Sequence, residues 1–296
     1  MCATCGCSDH DHARVTVLGD GNGDGGAGPA GGHPRHHHDH PHAHTHGHGH
    51  EHSHGHEHSH GHGHEHGHGQ AHGAGEVLSV EQDVLARNNL LAQRNRGWFE
   101  GRGILALNLV SAPGSGKTTL LEHTLREFAG RLPVSVVEGD QETTRDAERI
   151  QATGCRVAQI NTGAGCHLDA HMLTHGLDEL QPPPGSLLLI ENVGNLVCPA
   201  LFDLGEHCKV AIISVTEGDD KPAKYPHMFR ASRLLLINKI DLLPHVDFDL
   251  ARCVALAREV NPEIEVLEVS AKTGEGMDAW HRWIETRLPA PSMAGA

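Results

Sequence analysis

The N-terminal part of the chain carries an unusual concentration of metal-binding side chains. Cys2, Cys5 and Cys7 lie close together, and Gly6 lets the backbone bend the three thiols toward one centre. Thiolates grouped in this way suit Ni²⁺ or Zn²⁺. Histidine then recurs at nearly every second position, and each neutral imidazole is a potential ligand for nickel, zinc or copper. The accessory ligands predicted in this tract are His42, His44, His46, His48, His50, His52, His54, His56, His58, His60, His62, His64, His66 and His68.

A second group of thiol and imidazole side chains lies in the middle of the chain. Cys166 and His167 end a glycine-rich segment, and Cys198 follows in a later loop. We predict that these three residues bind Ni²⁺ or Zn²⁺, provided that the two loops meet at one edge of a sheet. Idle or buried thiols are the alternative. His171 and His175 repeat at helical spacing just beyond, where a solvated helix face explains them equally well.

The segment SAPGSGKTT indicates phosphate binding. It follows an apolar strand pattern and opens a helical one, which is the order that a P-loop requires. Gly114 and Gly116 allow backbone N–H groups to turn toward phosphates. Lys117 supplies positive charge for the β- and γ-phosphate oxygens, and Thr118 offers a hydroxyl to Mg²⁺. Ser111 replaces the first glycine of the general pattern, and we expect it to be tolerated at a strand end with an ordinary φ.

Two acidic segments complete the predicted phosphate site. Glu191 begins the segment ENVG after a strand pattern, so Glu191 would reach Mg²⁺ and the N–H of Gly194 would sense the γ-phosphate. Asp140, in EGDQETT, is assigned to the Mg²⁺ shell or to water positioning, with an acidic helix start as the alternative. Asn195 follows Gly194 where a water-orienting Gln is usual, so we expect slow intrinsic hydrolysis. The predicted catalytic residues are Lys117, Asp140 and Glu191, and the predicted magnesium ligands are Thr118, Asp140 and Glu191.

Guanine recognition is indicated by the segments NKID and SAK, each of which follows a strand pattern. The carboxylate of Asp241 can accept from both N1–H and the 2-amino group of guanine, whereas adenine offers no such pair of donors. Lys239 would lay its aliphatic stem along the base. The predicted nucleotide-binding residues are Gly114, Ser115, Gly116, Lys117, Thr118, Thr119, Gly194, Asn238, Lys239, Asp241, Ser270, Ala271 and Lys272.

The elements that position these residues are predicted from apolar periodicity. Short runs rich in Val, Ile and Leu alternate with helical patterns over 104–288, which predicts an α/β P-loop NTPase fold: a mostly parallel sheet flanked by helices. A helix over 78–96, capped by Ser79, precedes this region. We therefore predict a GTPase domain over 76–296. Residues 1–75 contain almost no large aliphatic side chains and are predicted to form a disordered, metal-binding tail.

Composition excludes several classes of function. The 296 residues carry 23 Lys and Arg against 38 Asp and Glu, a net charge of -15, which argues against nucleic acid as a partner. We find neither an apolar stretch long enough to span a membrane nor the apolar region of a signal peptide, and we expect a cytoplasmic protein. The eight cysteines are then expected as thiols, and clustered ones as metal ligands.

The motifs together resemble the HypB family of hydrogenase maturation GTPases. The resemblance rests on the cysteine triplet, the histidine tract, SAPGSGKTT, EGDxET, the Cys166–His167 loop, ENVGNLVCP, NKID and SAK. It implies a tight nickel site at Cys2, Cys5 and Cys7 and a second nickel or zinc site at Cys166, His167 and Cys198. It further implies GTP, GDP and Mg²⁺ as ligands, dimerisation through the GTPase domain, and insertion of nickel into the [NiFe] hydrogenase large-subunit precursor. Implied partners are a HypA-type zinc and nickel accessory protein and a SlyD-type nickel chaperone.

Two alternatives follow from the same residues. A passive nickel or zinc store with a regulatory GTP site would hold metal equally with GDP and GTP. A urease-type nickel-insertion GTPase would share the nucleotide motifs, although the N-terminal cysteine triplet argues against it. Our hypothesis for the mechanism is that loss of the γ-phosphate moves the segment from Gly194 to Cys198, so that nucleotide state and metal affinity are coupled reciprocally.

Overall fold

The computed structural model describes residues 14–18, 73–140, 145–163 and 165–289. The chain divides into two compact units, one formed by Met1–Asp20 with Val77–Ala296 and the other by Gly21–Glu76. Only residues 73–76 of the second unit are described. Cys2, Cys5, Cys7 and the histidine tract therefore lie outside the described residues.

Within the described residues, eight strands form one sheet in the order β1-β4-β3-β5-β2-β6-β7-β8. Neighbouring strands are parallel except β1, which runs antiparallel to β4. This confirms the mostly parallel sheet predicted from the apolar runs. The strands are β1 Arg14–Leu18, β2 Leu105–Ser111, β3 Val134–Asp140, β4 Arg156–Asn161, β5 Leu187–Glu191, β6 Cys208–Ser214, β7 Ser232–Asn238 and β8 Glu265–Glu268.

Strand β1 is a departure from the sequence prediction. Arg14 lies opposite Asn161 and Leu18 opposite Val157 at the edge of the sheet. Val15, Val17 and Leu18 pack against the core. An existing sheet edge supplies the hydrogen-bond partners, so five residues rich in Val and Thr suffice for a strand. Five residues of the segment predicted as a tail, 1–75, therefore add a strand to the sheet of the domain predicted over 76–296.

Helices cover both faces of the sheet. They are α1 Gly73–Arg102, α2 Lys117–Phe128, α3 Arg145–Gln151, α4 Ala170–Leu180, α5 Cys198–Leu201, α6 Lys221–Lys224, α7 Pro226–Ala231, α8 Leu250–Val260 and α9 Met277–Glu285, with a 3-10 helix at Ile240–His245. The first helix is longer than the predicted 78–96, so Ser79 lies inside it and does not cap it. No helix in the described part of the chain is both long and apolar enough to cross a membrane.

The core follows from the two-sided burial of the parallel strands. Along β2, Leu105, Leu107 and Leu109 face the side covered by α2, α3 and α9, while Ala106 and Val110 face the other side. That second side carries two apolar clusters, one beneath α1 and α4 and one beneath α7 and α8. Burying each of these Leu or Ile side chains contributes about 1.5–3 kcal/mol, so the strands that end at the carboxyl edge are stabilised from both faces of the sheet.

Candidate functional site

The loop between β2 and α2 holds the predicted phosphate-binding residues. Gly114 and Gly116 have positive φ angles of 78° and 92°, a conformation that glycine adopts freely. A Cβ at Gly116 would lie 2.6 Å from Nδ2 of Asn238, so this position also requires glycine for space. Ser111 ends β2 as a buried residue without a positive φ, which confirms that serine is compatible with the strand end.

This loop forms one wall of a cavity of about 460 Å³. The other walls are 138–140 at the end of β3, 191–194 after β5, and Asp146 and Arg149 of α3. The cavity therefore brings the predicted catalytic residues together. Its lining from the predicted set comprises Gly114, Ser115, Gly116, Lys117, Thr118, Thr119, Asp140, Glu191 and Gly194.

Glu191 lies at the floor of this cavity. The Thr118 hydroxyl donates to Oε1 of Glu191 at 3.1 Å, and Nζ of Lys117 lies 3.6 Å from the same oxygen. Burial raises the pKa of Glu191, while the charge of Lys117 and the Thr118 hydroxyl oppose that rise. The buried Oε2 of Glu191 has no hydrogen-bond partner among the described residues. A hydroxyl beside a carboxylate with a free oxygen is a donor set that suits Mg²⁺.

Glu138 is a cavity residue that the sequence analysis missed. It is 2% exposed and lies opposite Glu191 on the neighbouring strand. Burial, together with the charges of Glu191, Asp140 and Asp146, raises the pKa of Glu138 to about 8, although Lys117 opposes the rise. The alternation of side chains along a strand could have identified it. Glu138 is two residues before Asp140 on β3, so both side chains point to the same side of the sheet. Residues 141–144 of the acidic segment are outside the described residues.

The predicted base-binding segments join the P-loop at the end of β7. Asn238 donates from Nδ2 to the Ser115 carbonyl at 2.8 Å, and its Oδ1 accepts from the Ala271 N–H at 3.1 Å. Nζ of Lys239 donates to the Gly114 carbonyl at 2.7 Å. These contacts fix the base-binding segments relative to the phosphate-binding loop.

The carboxylate proposed to read guanine is also held in place. The Ser270 hydroxyl donates to Oδ1 of Asp241 at 2.6 Å, which orients that carboxylate. The same hydroxyl accepts from the Thr273 N–H at 3.1 Å, so it joins the SAK segment to Asp241. Lys272, by contrast, is an exposed side chain of that segment.

The two predicted thiol-bearing loops meet. Sγ of Cys166 and Sγ of Cys198 are 2.8 Å apart, and Nδ1 of His167 lies 3.7 Å from Sγ of Cys166. The ligand atoms of all three residues lie within 4.8 Å of one another. Two thiolates on one tetrahedral ion at about 2.3 Å would be about 3.8 Å apart, so small side-chain rotations would fit the group to a metal.

Local backbone structure positions this group. The Thr162 carbonyl accepts from the Gly165 N–H at 2.9 Å, which turns the chain after β4. His167 is 7% exposed, and its ring lies 3.9 Å from that of Phe202, so the imidazole is held against the loop that carries Cys198. Asp169 then caps α4 by accepting from the Met172 N–H.

The remaining imidazoles and thiols divide clearly. His171 and His175 lie on the exposed face of α4 with their Nε2 atoms 3.3 Å apart. Cys155, Cys208 and Cys253 lie in or against the apolar core, as predicted, and burial raises the pKa of each thiol to about 12. A thiol with so high a pKa is a poor metal ligand at neutral pH.

A P-loop after β2, an acidic segment after β5 and an NKxD segment after β7, on a mostly parallel sheet, define a P-loop GTPase. The family model described as CobW/HypB/UreG, nucleotide-binding domain, matches residues 105–268. The chain belongs to this family and, within it, to the HypB hydrogenase maturation factors.

Individual relatives agree with this assignment. The hydrogenase maturation factor HypB of Azotobacter vinelandii is 60% identical over 214 residues, which is 71% of each chain. The crystal structure of hydrogenase maturation factor HypB from Archaeoglobus fulgidus is 41% identical with a TM-score of 0.65, covering 69% of this chain and all of that one. HypB from Helicobacter pylori, solved in complex with nickel, is 35% identical with a TM-score of 0.64, covering 68% of this chain and 95% of that one. The predicted fold class and the resemblance are both confirmed.

Proposed function

We propose that this chain is a GTP-hydrolysing metallochaperone that binds nickel and promotes its insertion into the [NiFe] hydrogenase precursor. The observation that carries the proposal is the position of the thiol group. Cys198 lies on the same segment as Glu191 and Gly194, and its sulfur is 2.8 Å from that of Cys166. One loop therefore contributes both to the nucleotide cavity and to the candidate nickel site.

The chain's own residues account for nucleotide binding in this proposal. Backbone N–H groups of Gly114–Gly116 and the start of α2 bind the phosphates, and Lys117 stabilises negative charge on the β- and γ-phosphate oxygens. Asp241, oriented by Ser270, reads the guanine edge.

Hydrolysis requires an attacking water near the γ-phosphate, and the carboxylates that line the cavity are candidates to orient it. We assign this role to Asp140, with the buried Glu138 beside it. Slow intrinsic turnover is expected because Asn195, and not Gln, follows Gly194.

Thr118 and Glu191 fit a magnesium ion. The free buried Oε2 of Glu191 and the adjacent Thr118 hydroxyl supply oxygen ligands of the kind that Mg²⁺ prefers. When bound, Mg²⁺ neutralises charge on the phosphate oxygens. Nζ of Lys117 is 3.6 Å from Oε1 of the same carboxylate, and we expect it to turn toward phosphate when nucleotide binds.

Nickel is the cargo in this proposal, bound by Cys166, His167 and Cys198, and zinc is a competitor with the same ligand preferences. Gly194 packs so closely on Pro113 that a Cβ would lie 3.2 Å from it, which connects the Glu191–Cys198 segment to the P-loop. A change in the γ-phosphate would therefore move Cys198 relative to Cys166. This couples metal affinity to nucleotide state.

The tail and the partners complete the proposed pathway. Cys2, Cys5 and Cys7 are assigned a tight nickel site, and the histidines of 42–68 store nickel or transfer it to the domain. A HypA-type accessory protein, a SlyD-type nickel chaperone and a second copy of this chain are the proposed partners. The [NiFe] hydrogenase large-subunit precursor is the proposed recipient.

The test is metal titration and GTP turnover on one preparation of the full chain, with Ni²⁺ and Zn²⁺ compared. We expect hydrolysis of GTP in preference to ATP, and an affinity for nickel that differs between the GDP form and the form with a non-hydrolysable GTP analogue. A Cys166→Ala variant should lose the thiolate-to-nickel absorption of the internal site, whereas the matched Cys155→Ala variant should keep it.

The outcomes separate the alternatives. Equal nickel affinity in both nucleotide forms would support a passive metal store and reject the coupled chaperone. Delivery of nickel to a urease precursor in place of a hydrogenase precursor would identify the urease-type alternative.

A further inference from the structure

A buried asparagine lies between the nucleotide cavity and the thiol loop. Asn192 follows Glu191 at the end of β5 and is 1% exposed. Its side-chain oxygen accepts two backbone hydrogen bonds, from the Val193 N–H at 3.0 Å and from the Leu168 N–H at 3.1 Å. Val193 belongs to the segment that lines the cavity, and Leu168 directly follows His167. One amide oxygen therefore joins the two sites.

Leu168 makes a second contact with the nucleotide side. Its side chain is fully buried against Gly139, where a Cβ would lie 2.6 Å from the Leu168 Cγ. Gly139 stands between the cavity carboxylates Glu138 and Asp140. Leu168 is thus held by its backbone to the segment after β5 and by its side chain to the end of β3.

A polar network fixes the position of Asn192 from behind. Nδ2 of Asn192 donates to Asn108 at 3.3 Å, and Nδ2 of Asn108 donates to Glu206 at 3.1 Å. Glu206 also accepts from Lys209 at 2.7 Å and from the Leu204 N–H at 2.6 Å. These side chains are buried on the face of the sheet that carries two separate apolar clusters.

The network is costly to rearrange. Leaving one of its buried polar groups unpaired costs about 1–3 kcal/mol. The network therefore favours the one orientation of the Asn192 amide in which its oxygen accepts from both the Val193 and the Leu168 N–H groups.

We infer that Asn192 is a positioning residue that transmits the nucleotide-dependent arrangement of 191–194 to His167 and Cys166 through the Leu168 N–H. This inference rests on the proposed function, because it names the residue through which that coupling acts. A shift of the Val193 N–H changes the bond that Asn192 shares with Leu168. The change reaches His167 across a single peptide unit, because the Leu168 N–H belongs to the peptide formed with the His167 carbonyl.

The experiment measures nickel affinity by thiolate-to-nickel charge-transfer absorption in the full chain with Cys2→Ala, Cys5→Ala and Cys7→Ala. Thiolate ligands alone give this signal, so nickel bound only by the histidines of the tract does not contribute. The affinity ratio between the GDP form and the form with a non-hydrolysable GTP analogue is the readout. We expect a ratio of roughly fivefold or more in this parent chain.

Asn192→Ala is the test variant, and Asn108→Ala is its matched control. Both remove one buried amide from the same network, and both should lower thermal stability. Only Asn192→Ala removes the acceptor of the Leu168 N–H, so only its affinity ratio should fall to about one. Should Asn192→Ala fail to fold, Asn192→Ser is the substitute, because it keeps a polar group in the buried site but its hydroxyl is too short to accept from the Leu168 N–H.

The possible results are distinct. A parent ratio of one rejects the proposed coupling and this inference with it. A parent ratio well above one that persists in Asn192→Ala, or in Asn192→Ser, overturns the role of Asn192 and leaves the proposed function intact. An equal loss of the ratio in Asn108→Ala also overturns it, because the effect would then belong to the network as a whole.

Discussion

The phosphate-binding loop and the thiol-bearing loops lie at the same edge of the sheet but are held in different ways. The P-loop is fixed by backbone conformation and by backbone carbonyls that accept from Asn238 and Lys239. The thiol group depends on side chains from two loops, and Cys198 begins a helix of only four residues, Cys198–Leu201. Val197 and Leu201 beside it are 55% and 53% exposed. The phosphate site is therefore held by the backbone, whereas the thiol group is held by side chains of two loops, one of them partly exposed.

This difference assigns separate tasks to the two sites. A preformed anion site binds and stabilises charge with little rearrangement, which is what phosphate chemistry requires. In the proposed function, a thiol group built from two loops holds a metal ion in one arrangement and releases it in another. Helix α1 contacts the helix that follows the Cys166–His167 loop. Asn88 accepts from the Ala170 N–H and Asn95 donates to the Ala170 carbonyl, both at the start of α4.

The largest expected effect is the loss of GTP hydrolysis when a residue of the phosphate-binding loop is removed. Lys117→Ala removes the charge that stabilises the phosphate oxygens, so we expect GTP hydrolysis to fall by about 100-fold or more. Nickel binding at Cys2, Cys5 and Cys7 should be unchanged. The measurement is phosphate release together with nickel titration on the same sample.

Lys224→Ala is the control for that variant. Lys224 is an exposed residue at the end of α6, pairs with Asp220 and lies outside the cavity, so turnover should stay at the parent level. Loss of the N-terminal nickel site in Lys117→Ala would show that the two sites are not independent modules.

Removing one thiol of the Cys166, His167 and Cys198 group should reduce nickel affinity by a smaller factor than Lys117→Ala reduces GTP hydrolysis. Cys198→Ala removes one of three clustered ligands, and we expect the internal nickel affinity to fall by about 10-fold to 100-fold. GTP hydrolysis with Mg²⁺ but without nickel or zinc should change by less than about twofold, because Cys198 does not line the cavity. Cys155→Ala is the matched control. Unaltered nickel stoichiometry at the internal site would remove Cys198 from the ligand set.

The same contrast explains what the sequence could predict. Contiguous motifs could be predicted from the order of residues alone. These are the P-loop, Asn238–Asp241 and Glu191–Gly194. The meeting of Cys166 with Cys198 was a hypothesis, since it depends on the strand order β4-β3-β5, which no local pattern specifies. Glu138 was missed because burial, and not residue type, gives it its high pKa. The edge strand β1 was missed because its partner strand, and not its own short sequence, stabilises it.

A substitution between the two sites sharpens the comparison further. Gly139→Ala would place a methyl group 2.6 Å from Cγ of the buried Leu168, and we expect a loss of about 1–3 kcal/mol in the free energy of unfolding. Nickel affinity should fall along with stability. Gly101→Ala is the control, because no atom lies within 4 Å of that added methyl group on α1. Denaturant unfolding measures the free energy of unfolding of both variants. Equal values for Gly139→Ala and Gly101→Ala would show that Leu168 is not tightly held.

The smallest effect tests the buried carboxyl on the phosphate side. The pKa of Glu138 is about 8 in the folded protein and near 4.5 in the unfolded chain, so between these values the folded state binds one proton more. Stability therefore falls as pH rises through this window, by up to about 1.4 kcal/mol per pH unit. Glu138→Gln cannot titrate and should lose this slope. Unfolding at pH 6 and pH 7, with a chelator and without nucleotide, should separate variant and parent by about 1 kcal/mol. Glu179→Gln, on the exposed face of α4, should keep the parent slope. Parallel pH curves for Glu138→Gln and the parent would mean that Glu138 is ionised in the folded cavity, and three adjacent carboxylates would then face the phosphates without a shared proton.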